Sequence, residues 1–184
     1  MTAGTVVILT GPPGAGKSTT ARTLAASYER AVHLHSDDFW HAIVSGAVPP
    51  YLPESHDQNE TVMEVVRSAA FAYAAGGYLT IVDGVVGPWM LHHFRTTRGG
   101  IDIPVLQYVV LRPSRGETLR RARSRTADGA LVDEGPVASL WDQFADLGEW
   151  EGHALDTTSH SPADTVAAVW DAVGGGSFAL RPTP

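Results

Sequence analysis

The 184-residue sequence contains no cysteine. That absence excludes disulfides, thiol nucleophiles and any zinc site built on thiolates. Apolar stretches long enough to cross a bilayer are also missing. The N-terminus lacks the basic-then-apolar order of a secretory signal, because Gly11–Ser18 interrupts the first apolar run. The expectation is a cytoplasmic protein with no membrane partner. Positive charge is scarce as well: 13 Lys and Arg stand against 20 Asp and Glu, a formal net charge of −7. Broad duplex binding needs cations in quantity to neutralise phosphates, so no stable nucleic-acid complex is expected. No repeat, low-complexity tract or interdomain linker breaks the chain. With 43% hydrophobic and 18% charged residues, residues 1–184 read as a single domain with one sizeable core.

What remains is an alternation of two patterns. Apolar, β-branched runs at Thr5–Thr10, Ala31–His35, Tyr78–Val82 and Pro104–Leu111 read as buried strands, with a weaker one at Ala154–Asp156. Helical patterns lie between and after them, at Lys17–Glu29, Glu60–Ala75, Pro88–Phe94, Glu117–Arg125, Val137–Leu147 and Pro162–Val173. Gly174–Gly176 suggests a turn into a short last strand, Phe178–Leu180. Strands alternating with helices imply a mainly parallel sheet covered on both faces. Ligands of such sheets bind beyond the C-terminal strand ends, where Thr10, Asp37 and Asp83 fall.

Residues 11–18 read GPPGAGKS, matching the phosphate-loop pattern G-x-x-x-x-G-K-[ST]. The motif directly follows a strand and opens a helix. Gly11, Gly14 and Gly16 permit tight turns, and the backbone N–H groups of Gly11, Pro13-flanked Gly14, Ala15 and Gly16 can form an anion nest at a helix N-terminus. The expected nucleotide-binding residues of the loop are Gly11, Pro12, Pro13, Gly14, Ala15, Gly16, Lys17, Ser18 and Thr19. Lys17 is expected on the β and γ phosphates and the Ser18 hydroxyl on Mg²⁺.

Together, GPPGAGKST and HLHSDDFW resemble the small-molecule branch of P-loop kinases, which includes gluconate, shikimate, nicotinamide riboside and chloramphenicol kinases. HSDD at 35–38, DGV at 83–85 and DLG at 146–148 are similar to segments of compact kinase-like ATP-binding proteins. The resemblance covers roughly the whole chain. It implies a P-loop NTPase three-layer α/β/α sandwich with a mainly parallel five-stranded sheet, kinase-like order 2-3-1-4-5, and a small helical lid. It also implies ATP as the nucleotide and a small-molecule hydroxyl as phosphate acceptor.

In similar kinases the first acidic residue of such an SDDF segment faces the acceptor hydroxyl, which makes Asp37 the candidate general base or substrate orienter. Asp38 has three roles open to it: holding Mg²⁺ water, orienting Lys17 or capping the next helix. Phe39 and Trp40 continue the segment towards the acceptor. Asp83, at the end of a buried strand, fits either the Mg²⁺ shell or the acceptor site, with a turn-forming role as the plain alternative. Trp89 is open to pocket lining or packing.

ETLRRARSR places Arg121 and Arg125 four positions apart on one helical face. By resemblance they are lid residues that contact ATP phosphate during transfer, with Gly129 and Gly135 as pivots of closure. Thr157 and Thr158 fall where these kinases keep their purine-side loop, and Ser161 reads as the cap of the last helix. Between Phe39 and Tyr73, Tyr51, His56, Asp57, Asn59 and Glu60 beside three prolines suit a cap over a hydroxylated acceptor such as a sugar, nucleoside or antibiotic.

The eight histidines show no metal-binding spacing, since His92–His93 is adjacent and lacks the H-E-x-x-H arrangement. A serine hydrolase is disfavoured because no G-x-S-x-G occurs. Two other readings stay beside the kinase: an ATP-regulated interaction module with weak ATPase activity, and a polynucleotide 5′-hydroxyl kinase, which the acidic balance disfavours.

Overall fold

The computed structural model describes residues 4–95, 104–124 and 131–180. Five parallel strands, β1 (Thr5–Thr10), β2 (Ala31–His35), β3 (Leu79–Gly84), β4 (Val105–Leu111) and β5 (Ala154–Leu155), form one sheet in the order β2-β3-β1-β4-β5. This is the expected five-stranded P-loop kinase order. Seven α-helices are described: α1 (Lys17–Ala26), α2 (Ser36–His41), α3 (His56–Ala75), α4 (Leu91–Arg95), α5 (Arg115–Arg123), α6 (Glu134–Asp142) and α7 (Pro162–Gly175).

Strand alternation sorts the core into two layers. Val6, Ile8, Val82, Leu106, Tyr108 and Val110 face α3, where Val62, Met63, Val66, Ala70 and Phe71 close over them. Val7, Leu9, Ile81, Val109 and Leu111 face the opposite way, against Ala21 and Leu24 of α1 and Val169 and Val173 of α7. β1 is buried along its whole length, the signature of a central parallel strand with helices on both sides. Each fully buried Leu or Ile there contributes about 1.5–3 kcal/mol.

Element boundaries moved by small amounts. Helix α3 starts four residues earlier than its apolar pattern suggested, because a 3-10 turn at Pro53–Ser55 leads directly into His56. The 88–94 pattern divides into a 3-10 turn, Pro88–Met90, and α4. In place of a further strand, residues 178–180 make an antiparallel bridge, with Ala179 opposite Gln107 and the Leu180 N–H donating to the Leu106 carbonyl at 2.8 Å. The segment occupies the edge of β4 that the two-residue β5 leaves uncovered. Ser161 caps α7 in a full capping box with Asp164.

Candidate active site: two cavities that share the phosphate loop

Residues 11–16 connect β1 to α1 and make a tight arch. Gly11 has φ 139°, and a Cβ there would lie 2.1 Å from the Leu111 carbonyl oxygen, so only glycine lets the loop pass the end of β4. The arch is closed by Ala15 N–H donating to the Pro12 carbonyl at 3.2 Å. Lys17 Nζ also donates to that carbonyl, at 3.0 Å. Helix α1 begins after Gly16 with no side-chain cap and no acidic residue in its first turn. Its first N–H groups are therefore unclaimed by a cap at the positive end of the helix dipole, the arrangement that holds phosphate.

A second group meets this loop from β2 and β3. Asp83 is fully buried and stands in register with His35. Ala31, His33 and His35 share one face of β2 by alternation, and that face carries Asp83 and looks towards α1. Ser18 Oγ donates to Asp83 Oδ2 at 2.6 Å. His35 Nδ1 lies 3.0 Å from Asp83 Oδ1, and His33 Nε2 contacts the same oxygen. A carboxylate only accepts, so His33 carries its proton on Nε2 and His35 on Nδ1. Burial alone would raise the Asp83 pKa; the bonds from His33, His35 and Ser18 reverse that and hold it well below the usual carboxylate range. The same hydrogen bond to Asp83 raises the pKa of His35. Gly84 is required immediately after Asp83, because a Cβ there would sit 1.9 Å from the buried Ser36 hydroxyl.

A cavity of about 380 Å³ opens on one side of the loop. Pro13, Lys17 and Ser18 form its phosphate end, and His35, Asp37 and Trp40 form one wall. Tyr51, Asn59 and Met63 form another, while Trp89 and Met90 arrive from the turn after β3. Trp40 is fixed by its indole N–H donating to Asn59 Oδ1 at 2.8 Å. The size and mixed lining suit a small polar molecule. Asp37 is exposed, with Oδ2 3.6 Å from His35 Nε2. Asp38 is also exposed, but it is not among the described residues that line this cavity. Phe39 packs against the α3-side core rather than lining the cavity. Trp89 lines the cavity and packs against Phe144, ring centroids 5.7 Å apart.

A second cavity, about 560 Å³, lies on the other side of the same loop. Ala15, Gly16, Thr19 and Thr20 form its floor, and Arg120, Arg121 and the 158–162 loop form its walls. Arg121 is held by Glu117, whose Oε1 accepts from Nε at 2.5 Å. Its Nη2 donates to the carbonyls of Thr157, Thr158 and His160 at 2.9, 3.3 and 3.3 Å. The guanidinium thus braces the 157–160 loop. Thr157 contributes only backbone there, because its side chain is fully buried. Thr158, Ser159 and His160 line the cavity instead. Arg125 and Gly129 lie outside the described residues.

Sequence reading did not place Leu131, Leu140 and Gln143, which close the first cavity from the α6 side; no motif marks them. Nor did it link His33 and His35 to Asp83. The period-two spacing of the histidines on a strand beside the one ending in Asp83 was the available signal.

The AAA domain family model matches residues 7–142. No curated protein matches the sequence. A gluconokinase from Sinorhizobium meliloti 1021 superposes with TM-score 0.69 and 16% identity, over 96% of this chain and 95% of that one. The tunicamycin resistance protein of Deinococcus radiodurans gives TM-score 0.64 and 17% identity, over 97% and 99%. A chain of the Pnkp1/Rnl/Hen1 RNA repair complex gives TM-score 0.57 and 18% identity over 78% of this chain, which spans only 44% of that larger chain. At these identities the likeness is one of fold.

Proposed function

The chain belongs to the AAA domain family of P-loop proteins, and we propose that it is an ATP-dependent kinase that transfers the γ phosphate to a hydroxyl of a small polar molecule. One observation carries this reading: the phosphate loop forms the common wall of two cavities. A nucleotide base and ribose fit the side braced by Arg121, and an acceptor fits the side that holds Asp37. The phosphates between them meet the uncapped α1 N-terminus and Lys17.

The hard oxygen donors at this junction, Ser18 Oγ and Asp83, fit Mg²⁺ directly or through water. Ser18 and Asp83 would hold Mg²⁺ there, and the ion would supply charge neutralisation at the phosphates. Asp37 orients the acceptor hydroxyl and takes its proton as that oxygen bonds to the γ phosphorus. The bond from the γ phosphorus to the bridging oxygen breaks, and ADP leaves with the electron pair. Lys17 and the loop N–H groups stabilise the charge that builds up on the phosphoryl oxygens. Arg121 keeps the nucleotide-side loop in place. Among acceptors, a sugar, nucleoside or antibiotic fits the mixed aromatic and polar cavity. The net charge of −7 disfavours a polynucleotide acceptor.

The test offers purified protein Mg²⁺–ATP with a library of sugars, nucleosides and hydroxylated antibiotics, read by mass spectrometry. An acceptor heavier by about 80 Da, the mass of a transferred phosphoryl group, made by wild type and not by Lys17→Ala, is the expected result. ATP binding with turnover that requires a protein partner, and no labelled small molecule, would replace this reading with that of an ATP-regulated interaction module.

A further inference from the structure

Away from the phosphate loop, α3 and α4 bring together a second cluster of histidines and carboxylates. His92 Nε2 and His93 Nε2 each lie 3.2 Å from Glu60 Oε2. One ligand atom from each of the three residues lies within 4.8 Å of the others. The other ring nitrogens are already committed. His92 Nδ1 lies 2.9 Å from the Trp89 carbonyl oxygen, and His93 Nδ1 lies 3.4 Å from Glu64 Oε2. Glu64 is itself beside Arg67, whose Nη1 is 3.5 Å from Oε1.

These partners set the tautomers. A carbonyl and an ionised carboxylate can only accept, so both Nδ1 atoms carry the proton. Both Nε2 atoms then present lone pairs, and both face an oxygen of Glu60 that also only accepts. Three acceptors converging at this spacing repel one another unless a cation sits among them. Protons on both Nε2 atoms would do this by making two imidazolium rings, with centroids 4.1 Å apart. The His93 side chain lies inside this contact, 4% exposed. A single divalent metal satisfies all three acceptors at once. His93 Nε2 is, correspondingly, a buried polar atom without a hydrogen-bond partner.

We propose that Glu60, His92 and His93 form a binding site for a divalent transition metal of the zinc type, separate from the phosphate-loop site. Two imidazole nitrogens and a carboxylate oxygen suit Zn²⁺ far better than Mg²⁺. Metal–ligand bonds of about 2.0–2.1 Å in tetrahedral array put ligand atoms about 3.3–3.4 Å apart, and both distances to Glu60 Oε2 are 3.2 Å. The Trp89 carbonyl and the Glu64 carboxylate fix ring orientation from behind, as acceptors commonly do for metal-bound histidine. His92 is 51% exposed, which leaves the outer coordination position to water. Since α4 directly follows Trp89 and Met90, which line the acceptor-side cavity, metal binding here clamps that wall to α3.

The test uses the full chain, stripped with chelator, held in excess Mg²⁺ and titrated with Zn²⁺ against a chromophoric chelator. Co²⁺ is titrated in parallel and read by visible absorption. One equivalent should bind, Co²⁺ should give the intense absorption of four-coordinate geometry, and the melting temperature should rise with added Zn²⁺. His92→Gln and Glu60→Gln should abolish stoichiometric binding, and Glu64→Gln should weaken it by about 10–100-fold. His92 lies at the surface, so its variant leaves the core intact even if His93→Gln does not fold. His33→Gln/His35→Gln removes the histidines of the other His–carboxylate group and should leave binding unchanged. Absence of stoichiometric binding, or binding that survives His92→Gln and disappears in His33→Gln/His35→Gln, overturns the proposal. The readout is metal occupancy, so neither result depends on whether the chain is a kinase.

Discussion

Ser18 Oγ donates to Asp83 Oδ2 at 2.6 Å, so the first turn of α1 and the end of β3 are joined by the two side chains we propose as holders of a phosphate-bound cation. The other carboxylate oxygen is shared by His33 and His35. Asp83 is thus fixed on both sides and held ionised despite full burial. Its charge is fixed without reorganisation, which suits the role we propose for it: holding, directly or through water, the cation that neutralises the phosphates.

Asp83→Asn tests that role. The amide keeps the volume but turns one oxygen into a donor, facing either the Ser18 hydroxyl or the two imidazole N–H groups. A buried polar mismatch of this kind costs about 1–3 kcal/mol, to be read in a denaturant melt. Turnover at saturating Mg²⁺–ATP should fall by about 100-fold or more. Wild-type kcat in a folded Asp83→Asn protein would remove Asp83 from the metal shell.

The two acidic neighbours after β2 separate by placement. Asp37 lines the acceptor-side cavity, whereas Asp38 does not. Asp37→Asn should abolish acceptor phosphorylation, leave ATP affinity within about twofold and leave the melting temperature within the small range usual for surface substitutions. Asp38→Asn should lower kcat by less than tenfold in the same assay. The reverse ranking would move the acceptor-orienting role to Asp38.

The fold was legible because its signals are local and redundant. β1 has an uninterrupted apolar centre, Val6–Leu9, and runs straight into the phosphate loop, and helical segments separate the strands, so a parallel doubly covered sheet follows. Phe178–Leu180 was misjudged as a strand because its single antiparallel bridge depends on how much of β4 the short β5 covers, a property of distant segments. The placement of the candidate site follows the same rule: GPPGAGKS lies in one loop between β1 and α1, and Asp83 sits at the expected strand end. Leu131, Leu140 and Gln143 carry no local signature, and neither does the full burial of Thr157. Glu60 reaches His92 and His93 from another helix, a proximity that spacing along the sequence does not encode.

Arg121 spends its donors on Glu117 and on loop carbonyls, so its first effect is expected on the cavity that we propose for the nucleotide. Arg121→Ala should raise KM for ATP by about 10-fold or more, since removing a charged donor to several acceptors costs about 1.5–3 kcal/mol, with a smaller effect on kcat. Arg121→Lys should not restore it, because one ammonium cannot replace a planar fork that reaches a carboxylate and several carbonyls. A kcat loss exceeding the KM change would instead place Arg121 on the transferring phosphate.

Stability should also respond to acid in a defined window. Arg112 at the end of β4 pairs with both oxygens of Glu151, at 2.8 and 2.7 Å, and the Leu147 N–H adds a third bond. The Arg112 bonds first, then the Leu147 N–H, lower the Glu151 pKa from 4.5 to about 2. Glu117 is lowered to about 2 by Arg120 and Arg121. Both groups have depressed folded-state values, so the unfolded chain binds more protons between the two limits, and stability falls as pH falls. Their contribution is complete above about pH 4.5 and is lost as pH drops towards 2. Glu151→Gln removes one titrating group, so its melting temperature should decline less steeply across that window than wild type while lying below it at neutral pH. Salt should narrow the neutral-pH difference, because Glu151 is 45% exposed and its pairing with Arg112 is screened. Parallel wild-type and Glu151→Gln acid profiles would show that the native pair does not set the proton linkage.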